Sequence, residues 1–279
     1  MSTIHFIDGE KGGVGKSLFA RVMVQYCIDK GFPYVLIEAD RSNPDVGEIY
    51  PDSVEAKTGQ KIFHYKQAIF SESERKAYEA DQIFELALTN PVIVNLPAQV
   101  FGMVNDWIER NGVLTIGSQH GVEICKWFVC TGGYDSVKLF IESVTHFEGK
   151  LKHILVRNWG LQDDWSSVSE RKELQDLISK YAIKVIDFPK FSYRERDYLD
   201  EYRISFGEAR ELKELGVLGL QRIHNFLKGA YQAIEQAETW GKPAKTSKSS
   251  KTSSKASSSG SNAAKSNAAN EPATSPQSQ

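Results

Sequence analysis

"GEKGGVGKS", residues 9–17, puts four glycines and two lysines into nine residues. Glycine loses more backbone freedom on folding than any other residue, so such a cluster marks a place that needs bare backbone. The run before it, "TIHFID" (3–8), is short and β-rich and ends at glycine. The run after it, "KSLFARVMVQYCIDKG" (16–31), carries Phe19, Val22, Met23, Tyr26 and Cys27 at helical spacing, with Gly31 as a stop. Strand, Gly-x-x-x-x-Gly-Lys-Ser, helix is the context in which a glycine loop binds phosphate. Gly12, Gly13 and Gly15 let amide N–H groups converge on phosphate oxygens without a Cβ in the way. The helix start adds its positive dipole end. In that arrangement Lys16 reaches the β and γ phosphates and the Ser17 hydroxyl ligates Mg²⁺.

Outward from the loop, strands and helices alternate. "YVLIEAD" (34–40), "PVIVNLP" (91–97), "VEICKWFVC" (122–130), "KHILVRN" (152–158) and "IKVIDFP" (183–189) read as strands. Helices are predicted over 72–88, with Ala80, Ile83, Phe84 and Ala87 on one face, over 134–147 and over 167–181. Val104, Trp107 and Ile108 begin a helix that runs on to His120 with Gly121 as its cap; a strand over "VLTIGS" is the alternative. The remainder to about 237 reads as helical. Continuous apolar strands alternating with helices mean an α/β fold, a mostly parallel central sheet covered on both faces. Ligands of such sheets bind beyond the carboxyl ends of the strands, where this loop sits.

The chain has 279 residues, 41% of them hydrophobic and 25% charged, which suits one good-sized domain or at most two. Three cysteines, Cys27, Cys125 and Cys130, with no Cys-x-x-Cys, fit a reducing cytoplasm rather than a disulfide scaffold, and no partner at ligand spacing makes a metal site of Cys125 and Cys130. No signal peptide and no membrane-spanning run is read, so a soluble cytoplasmic protein is expected. A domain over 1–240 is expected to end where the composition changes. Residues 241–279 hold no aromatic or large aliphatic side chain and read as a disordered Ser/Lys/Ala-rich tail. The tail carries six lysines against one glutamate, a net of +5; with −2 for the whole chain, residues 1–240 carry −7. The tail is either a solubilising linker or a weak, salt-sensitive grip on DNA or another acidic surface.

Lys11 is not required by an ordinary phosphate loop. With it, "KGGVGKS" (11–17) resembles the deviant Walker A motif of the ParA/MinD family of P-loop ATPases. The resemblance implies an ATP- and Mg²⁺-dependent homodimer in which Lys11 crosses to the phosphates held by the other subunit. It further implies slow hydrolysis to ADP and phosphate, triggered by a protein partner. The nucleotide would be held by Gly12, Gly13, Val14, Gly15, Lys16, Ser17 and Leu18, with Lys11, Lys16 and Asp40 as the catalytic set. Asp40, ending the second strand, matches the family's first-switch aspartate, which orients the attacking water and lies near the metal; Glu38 is its weaker neighbour. Asn43, Pro44 and Asp45 read as a turn that moves with the γ phosphate. The family's Walker B aspartate is replaced by Asn95, which offers an oxygen but no charge, so weaker Mg²⁺ retention, through water, is implied. Asn158 and Pro189 match, by order along the chain, the residues with which the family reads adenine. "CKWFVCTGGYDSVKLF" (125–140) is similar to ParA-like proteins encoded with plasmid mobilisation and conjugation genes, the TraL and MobD types; its "TGGYDS" is a second loop near the nucleotide or a partner surface.

Three functions share this scaffold. One is a cargo-positioning ATPase switch in plasmid partition, mobilisation or conjugal transfer. Another is a metabolic enzyme that activates a carboxylate substrate with ATP, or a hydrolysis-deficient nucleotide-binding scaffold. The third, a membrane-cycling switch, needs an amphipathic C-terminal anchor that the tail does not offer, so no membrane partner is expected. The acidic body argues against broad DNA binding; Lys213, Arg222 and Lys228, with the tail, are the available cations.

Overall fold

Buried apolar runs, too continuous for a half-exposed sheet, assemble into one parallel sheet in the computed structural model, which describes residues 1–57, 60–71 and 73–240. The strands are β1 (Ser2–Asp8), β2 (Val35–Glu38), β3 (Ser53–Lys57), β4 (Gln60–His64), β5 (Lys66–Gln67), β6 (Val92–Asn95), β7 (Val122–Cys130), β8 (Lys152–Asn158) and β9 (Lys184–Phe188). Seven of them lie in the order β5-β2-β6-β1-β7-β8-β9, every pairing parallel. The glycine loop leaves the central strand, so β6 and β7 flank it on either side.

Side chains alternate across the sheet into two layers. Ile7, Trp127, Val129, Val156 and Phe188 pack into one cluster with Phe19 and Met23 of α1 (Lys16–Lys30) and with Ile223 and Phe226 near the C-terminus. On the opposite face Phe6, Val92 and Val94 pack with Ile83, Val104 and Trp107, and Phe128 packs with Phe140 and Val144. Phe19 and Phe188 meet edge to face at 5.1 Å between ring centroids, and Phe188 meets Phe226 at 5.6 Å. These contacts tie the helix that follows the loop to both the sheet and the C-terminal helix.

The helices in chain order are α1, α2 (Asp45–Ile49), α3 (Asp81–Ala87), α4 (Phe101–Arg110), α5 (Val113–His120), α6 (Tyr134–Phe147), α7 (Ser166–Ser169), α8 (Lys172–Lys180), α9 (Tyr193–Glu201), α10 (Phe206–Ala209) and α11 (Gly216–Gln236). Four readings are corrected. The helix expected from Val104 to His120 is two helices, because Gly112 adopts φ +58°, a left-handed conformation that stops one helix and starts the next. "VLTIGS" lies in α5, so the strand alternative fails. The helix expected over 167–181 breaks at Arg171: Val168 and Leu174 are both buried, yet six residues apart they would face different sides of one helix. The stretch 72–88 is helical in two forms, a 3₁₀ segment (Glu74–Ala80) and then α3; Glu72 lies outside the described residues. The antiparallel hairpin β3–β4 was not read in the sequence at all. Its apolar Val54 and Ile62 are exposed, so it lacks a buried face to announce it. The boundary expected at residue 240 and the tail beyond it lie outside the described residues.

A buried ion pair sits inside the sheet directly beneath the loop. Lys126, in the middle of β7, and Asp8, at the end of β1, are 0% and 1% exposed, with Nζ 3.1 Å from Oδ2. The Phe101 and Phe147 rings face the ammonium at 5.0 and 5.2 Å. Burial alone would raise the Asp8 carboxyl; the Lys126 charge and the Gly9 and Glu10 amides outweigh it and hold the carboxyl below its ordinary range. Removing one partner leaves the other charge stranded in a dry interior. Lys126→Ala is expected to destabilise the protein by about 3–5 kcal/mol, and Lys126→Met combined with Asp8→Asn by clearly less, in urea unfolding of the two variants against the parent.

Candidate functional site

The carboxyl ends of β2, β6, β1 and β8 bring Asp40, Asn95, the loop and Asn158 to one edge of the sheet. The loop cannot hold its shape by its own packing, and its neighbours supply the hold. Asp8 Oδ1 accepts from Gly9 N at 2.6 Å. Glu10, at φ +42°, accepts from Gln99 N at its carbonyl (2.8 Å) and from Phe101 N at Oε1 (2.7 Å), which fastens the loop to the start of α4. Burial raises the Glu10 carboxyl, and the Phe101 amide opposes that shift. Asn158 Nδ2 donates to the Val14 carbonyl at 2.8 Å, while its Oδ1 accepts from Gly160 N at 2.9 Å. At Gly15, where φ is +100°, a Cβ would lie 2.5 Å from Asn158 Nδ2, so glycine is required there on two counts.

The two lysines of the loop face opposite ways. Lys16 is buried, and its Nζ donates to the Lys11 carbonyl at 2.8 Å. Burial lowers its pKa, against the pull of the Asp8, Asp40 and Glu10 carboxylates. Lys11 has a half-exposed side chain whose Nζ lies 2.6 Å from Asp135 Oδ2, itself exposed. The Lys11 ammonium holds the Asp135 carboxyl below its usual range. Asp135 belongs to "TGGYDS", which therefore does lie beside the glycine loop. Val14 is buried and Leu18 packs against the same core, so these two offer a ligand only their main chain. Ser17 is half-buried in the first turn of α1.

Asp40 shapes the segment after β2. Its Oδ1 accepts from Ser42 N and Asn43 N, both at 3.1 Å, and Asn43 Nδ2 donates to Asp45 Oδ2 at 2.6 Å. Pro44 is the N-cap of α2, so the expected turn is present. Glu38, fully buried, is the hub. Its Oε1 accepts from Asn95 Nδ2 (2.9 Å) and Asp40 N (3.0 Å), and its Oε2 accepts from Val46 N and Gly47 N, both at 3.2 Å. Burial pushes its carboxyl up to about 7, with the Asp40 charge adding to the rise, and the Asn95, Asp40 and Gly47 N–H donors oppose that shift. A proton on either oxygen would face an N–H group, so the site matches the charged form. Asn95 is 1% exposed, and its Oδ1 has no hydrogen-bond partner among the described residues.

Ser17, Asp40 and Asn95 carry oxygen donors, the type that magnesium takes alongside phosphate oxygens and waters. Among the described residues no group of three or more His, Cys, Asp or Glu side chains could hold a metal by itself. An orphaned, buried acceptor on Asn95 is what a metal-bound water would satisfy. Pro189 follows β9 and packs near Gly229 of α11, beside Asn158 through the register of Asn158 with Phe188. Of the cations expected to be available, Arg222 is engaged by Glu195 at 3.0 and 2.5 Å, whereas Lys213 and Lys228 are exposed. Sequence reading missed Asp8, Glu10, Lys126 and Asp135 and undervalued Glu38. The lysine inside "VEICKWFVC" was the available signal, since a lysine in a fully buried strand requires a counter-charge.

The chain is 23% identical to protein TraL of Escherichia coli over 249 residues, 85% of this chain and 99% of that protein. It is 47% identical to protein MobD of Acidithiobacillus ferrooxidans over 55 residues, which span 20% of this chain and 24% of MobD. The chain carries a seven-stranded parallel sheet with the glycine loop at the carboxyl end of its central strand. Solved structures similar to this chain include the Aquifex aeolicus MinC:MinD cell division complex, with 12% identity and a TM-score of 0.48 over 84% of this chain and 96% of that one. The Cyanothece McdA–ATP complex is similar at 16% identity and a TM-score of 0.46, again over 84% and 96%. No protein-family model matches the chain. No helix among the described residues is long and apolar enough to cross a membrane.

Asn158 acts as a clamp on the loop through the Val14 carbonyl. Asn158→Ala is expected to lower stability by about 1–3 kcal/mol, the cost of a buried carbonyl left unpaired, and to speed amide exchange over residues 12–17. Urea unfolding and hydrogen-exchange mass spectrometry check both effects.

Proposed function

We propose that this chain is an ATP-dependent switch of the ParA/MinD type, acting in plasmid mobilisation, conjugal transfer or the positioning of a related cargo. The observation that carries the reading is the opposed direction of the two loop lysines: Lys16 buried under the loop, Lys11 turned outward. Lys16 serves the phosphates of its own site. On this reading Lys11 leaves Asp135 to serve those of a second copy, since two acidic bodies that bring triphosphates together need such a cation from each side. Ser17, and Asn95 through water, would hold a magnesium ion, which would supply charge neutralisation for the phosphates. Asp40 orients the water that attacks the γ phosphorus, and the bond to the bridging oxygen of ADP breaks. Oδ1 of Asp40 is used in the turn, which leaves Oδ2 for that water.

The similarity to TraL and MobD supports a role in mobilisation or transfer. Binding of DNA is assigned only to the tail, with a protein partner as the trigger of hydrolysis. In the folded body Arg21, Arg157, Arg210 and Arg222 all face carboxylates, which lowers the cationic charge they offer to DNA.

Lys16→Ala is expected to weaken ATP binding about a hundredfold or more in calorimetry, as befits the loss of a buried charged hydrogen-bond donor. Lys11→Ala should keep the parent affinity yet remain monomeric with ATP in size-exclusion chromatography with light scattering. A dimer of that variant refutes the role of Lys11. A parent chain that stays monomeric and consumes ATP only with a small carboxylic acid present points instead to a metabolic enzyme. Asp40→Ala should slow phosphate release about a hundredfold or more and prolong the ATP-bound dimer, in a malachite-green assay run beside the same chromatography.

A further inference from the structure

The family pattern asks for an aspartate at position 95, and this chain has a neutral amide. The structure places a buried carboxylate against that amide. Glu38 and Asn95 are register partners on adjacent strands, β2 and β6, at 0% and 1% exposure. Glu38 Oε1 accepts from Asn95 Nδ2 at 2.9 Å. That contact fixes the amide. A flipped Asn95 would set its oxygen against a carboxylate oxygen, two acceptors face to face, so the orientation with Nδ2 toward Glu38 is the only one the surroundings satisfy. Oδ1 is therefore held on the opposite side, buried and unpartnered. On that side the neighbouring strand is β1, with Ile7 in register with Asn95 and the glycine loop two residues on.

We propose that Glu38 and Asn95 work as one acid divided between two strands: Glu38 carries the charge, and Asn95 Oδ1 is the oxygen presented to a magnesium-bound water. A carboxylate that accepts from one end of an amide polarises it and makes the carbonyl oxygen at the other end a stronger acceptor, as a carboxylate behind a metal-bound imidazole does. Glu38 can stay charged in this dry position because Asp40 N, Val46 N and Gly47 N complete its hydrogen bonds. Glu38 is thus a positioning residue, acting on the metal through Asn95, and the same carboxylate ties the Asp40–Gly47 segment to it. The inference rests on the nucleotide-switch reading above and adds to it a source for the missing charge.

The test is calorimetry of ADP binding to the full chain in EDTA and in excess Mg²⁺, the ratio of the two Kd values giving the magnesium coupling. Binding in EDTA reports the loop alone. Glu38→Gln is expected to reduce the coupling about tenfold, the size of other losses of a carboxylate behind a metal ligand, with little change in EDTA. Asn95→Asp alone should keep the coupling near the parent value, because two carboxylates in contact cannot both ionise and the pair still carries one charge. The exchange Glu38→Gln/Asn95→Asp, which moves the charge to position 95, should restore the coupling to near the parent value. Parent coupling in Glu38→Gln, or an exchange variant no better than Glu38→Gln, overturns the proposal. Where Glu38→Gln fails to fold, Asn95→Asp decides alone, and a rise in coupling overturns the proposal. A parent chain that binds ADP equally in both buffers also overturns it and leaves the nucleotide reading intact. A parent that binds in neither overturns both.

Discussion

A loop built from bare amides has no side chains with which to hold itself open, so its shape must be imposed from outside. Here three side chains do this from three directions: Asp8 from the strand that feeds the loop, Glu10 from within it toward α4, and Asn158 from the end of β8. Each takes up a main-chain group at the loop or beside it. The loop thereby becomes a fixed element of the sheet edge. The direction of every other group at the site follows from that: Lys16 lies inward, Lys11 outward, and the first turn of α1 stands beneath the loop with Ser17 in it.

The second theme is how charge is kept in a dry place. The body is acidic overall, and the upper edge of its sheet is dense with carboxylates. Asp8 is tolerable because Lys126 and two aromatic rings stand against it. Glu38 is tolerable because four N–H groups converge on it. Both solutions span neighbouring strands, β1 with β7 and β2 with β6, so each charge also pins sheet register. A one-residue slip of β7 would carry Lys126 to the opposite face and strand Asp8. Glu38 goes further and holds the start of α2, which couples the end of β2 to the segment containing Asp40.

Local pattern carried most of the architecture. β7, α6 and β8 fall where the apolar runs and spacings place them, at Val122–Cys130, Tyr134–Phe147 and Lys152–Asn158. Periodicity failed where tertiary demands cut an otherwise helical stretch, at Gly112 and at Arg171, and it had nothing to register at the exposed hairpin β3–β4. At the site, the loop was legible because glycine content and spacing are local properties. Its supports were not, since Asn158 is 144 residues from the carbonyl it holds and Asp135 is 124 residues from Lys11.

The sequence by itself determined that a strand, a glycine loop of bare amides and a helix would follow one another at the edge of a parallel sheet, because each of those features is a matter of neighbours along the chain. It also displayed the departure at position 95. Only the tertiary structure decided what that departure means. Whether an amide stands alone or against a carboxylate depends on which strand lies alongside and in what register, and strands 57 residues apart meet only once the sheet has folded.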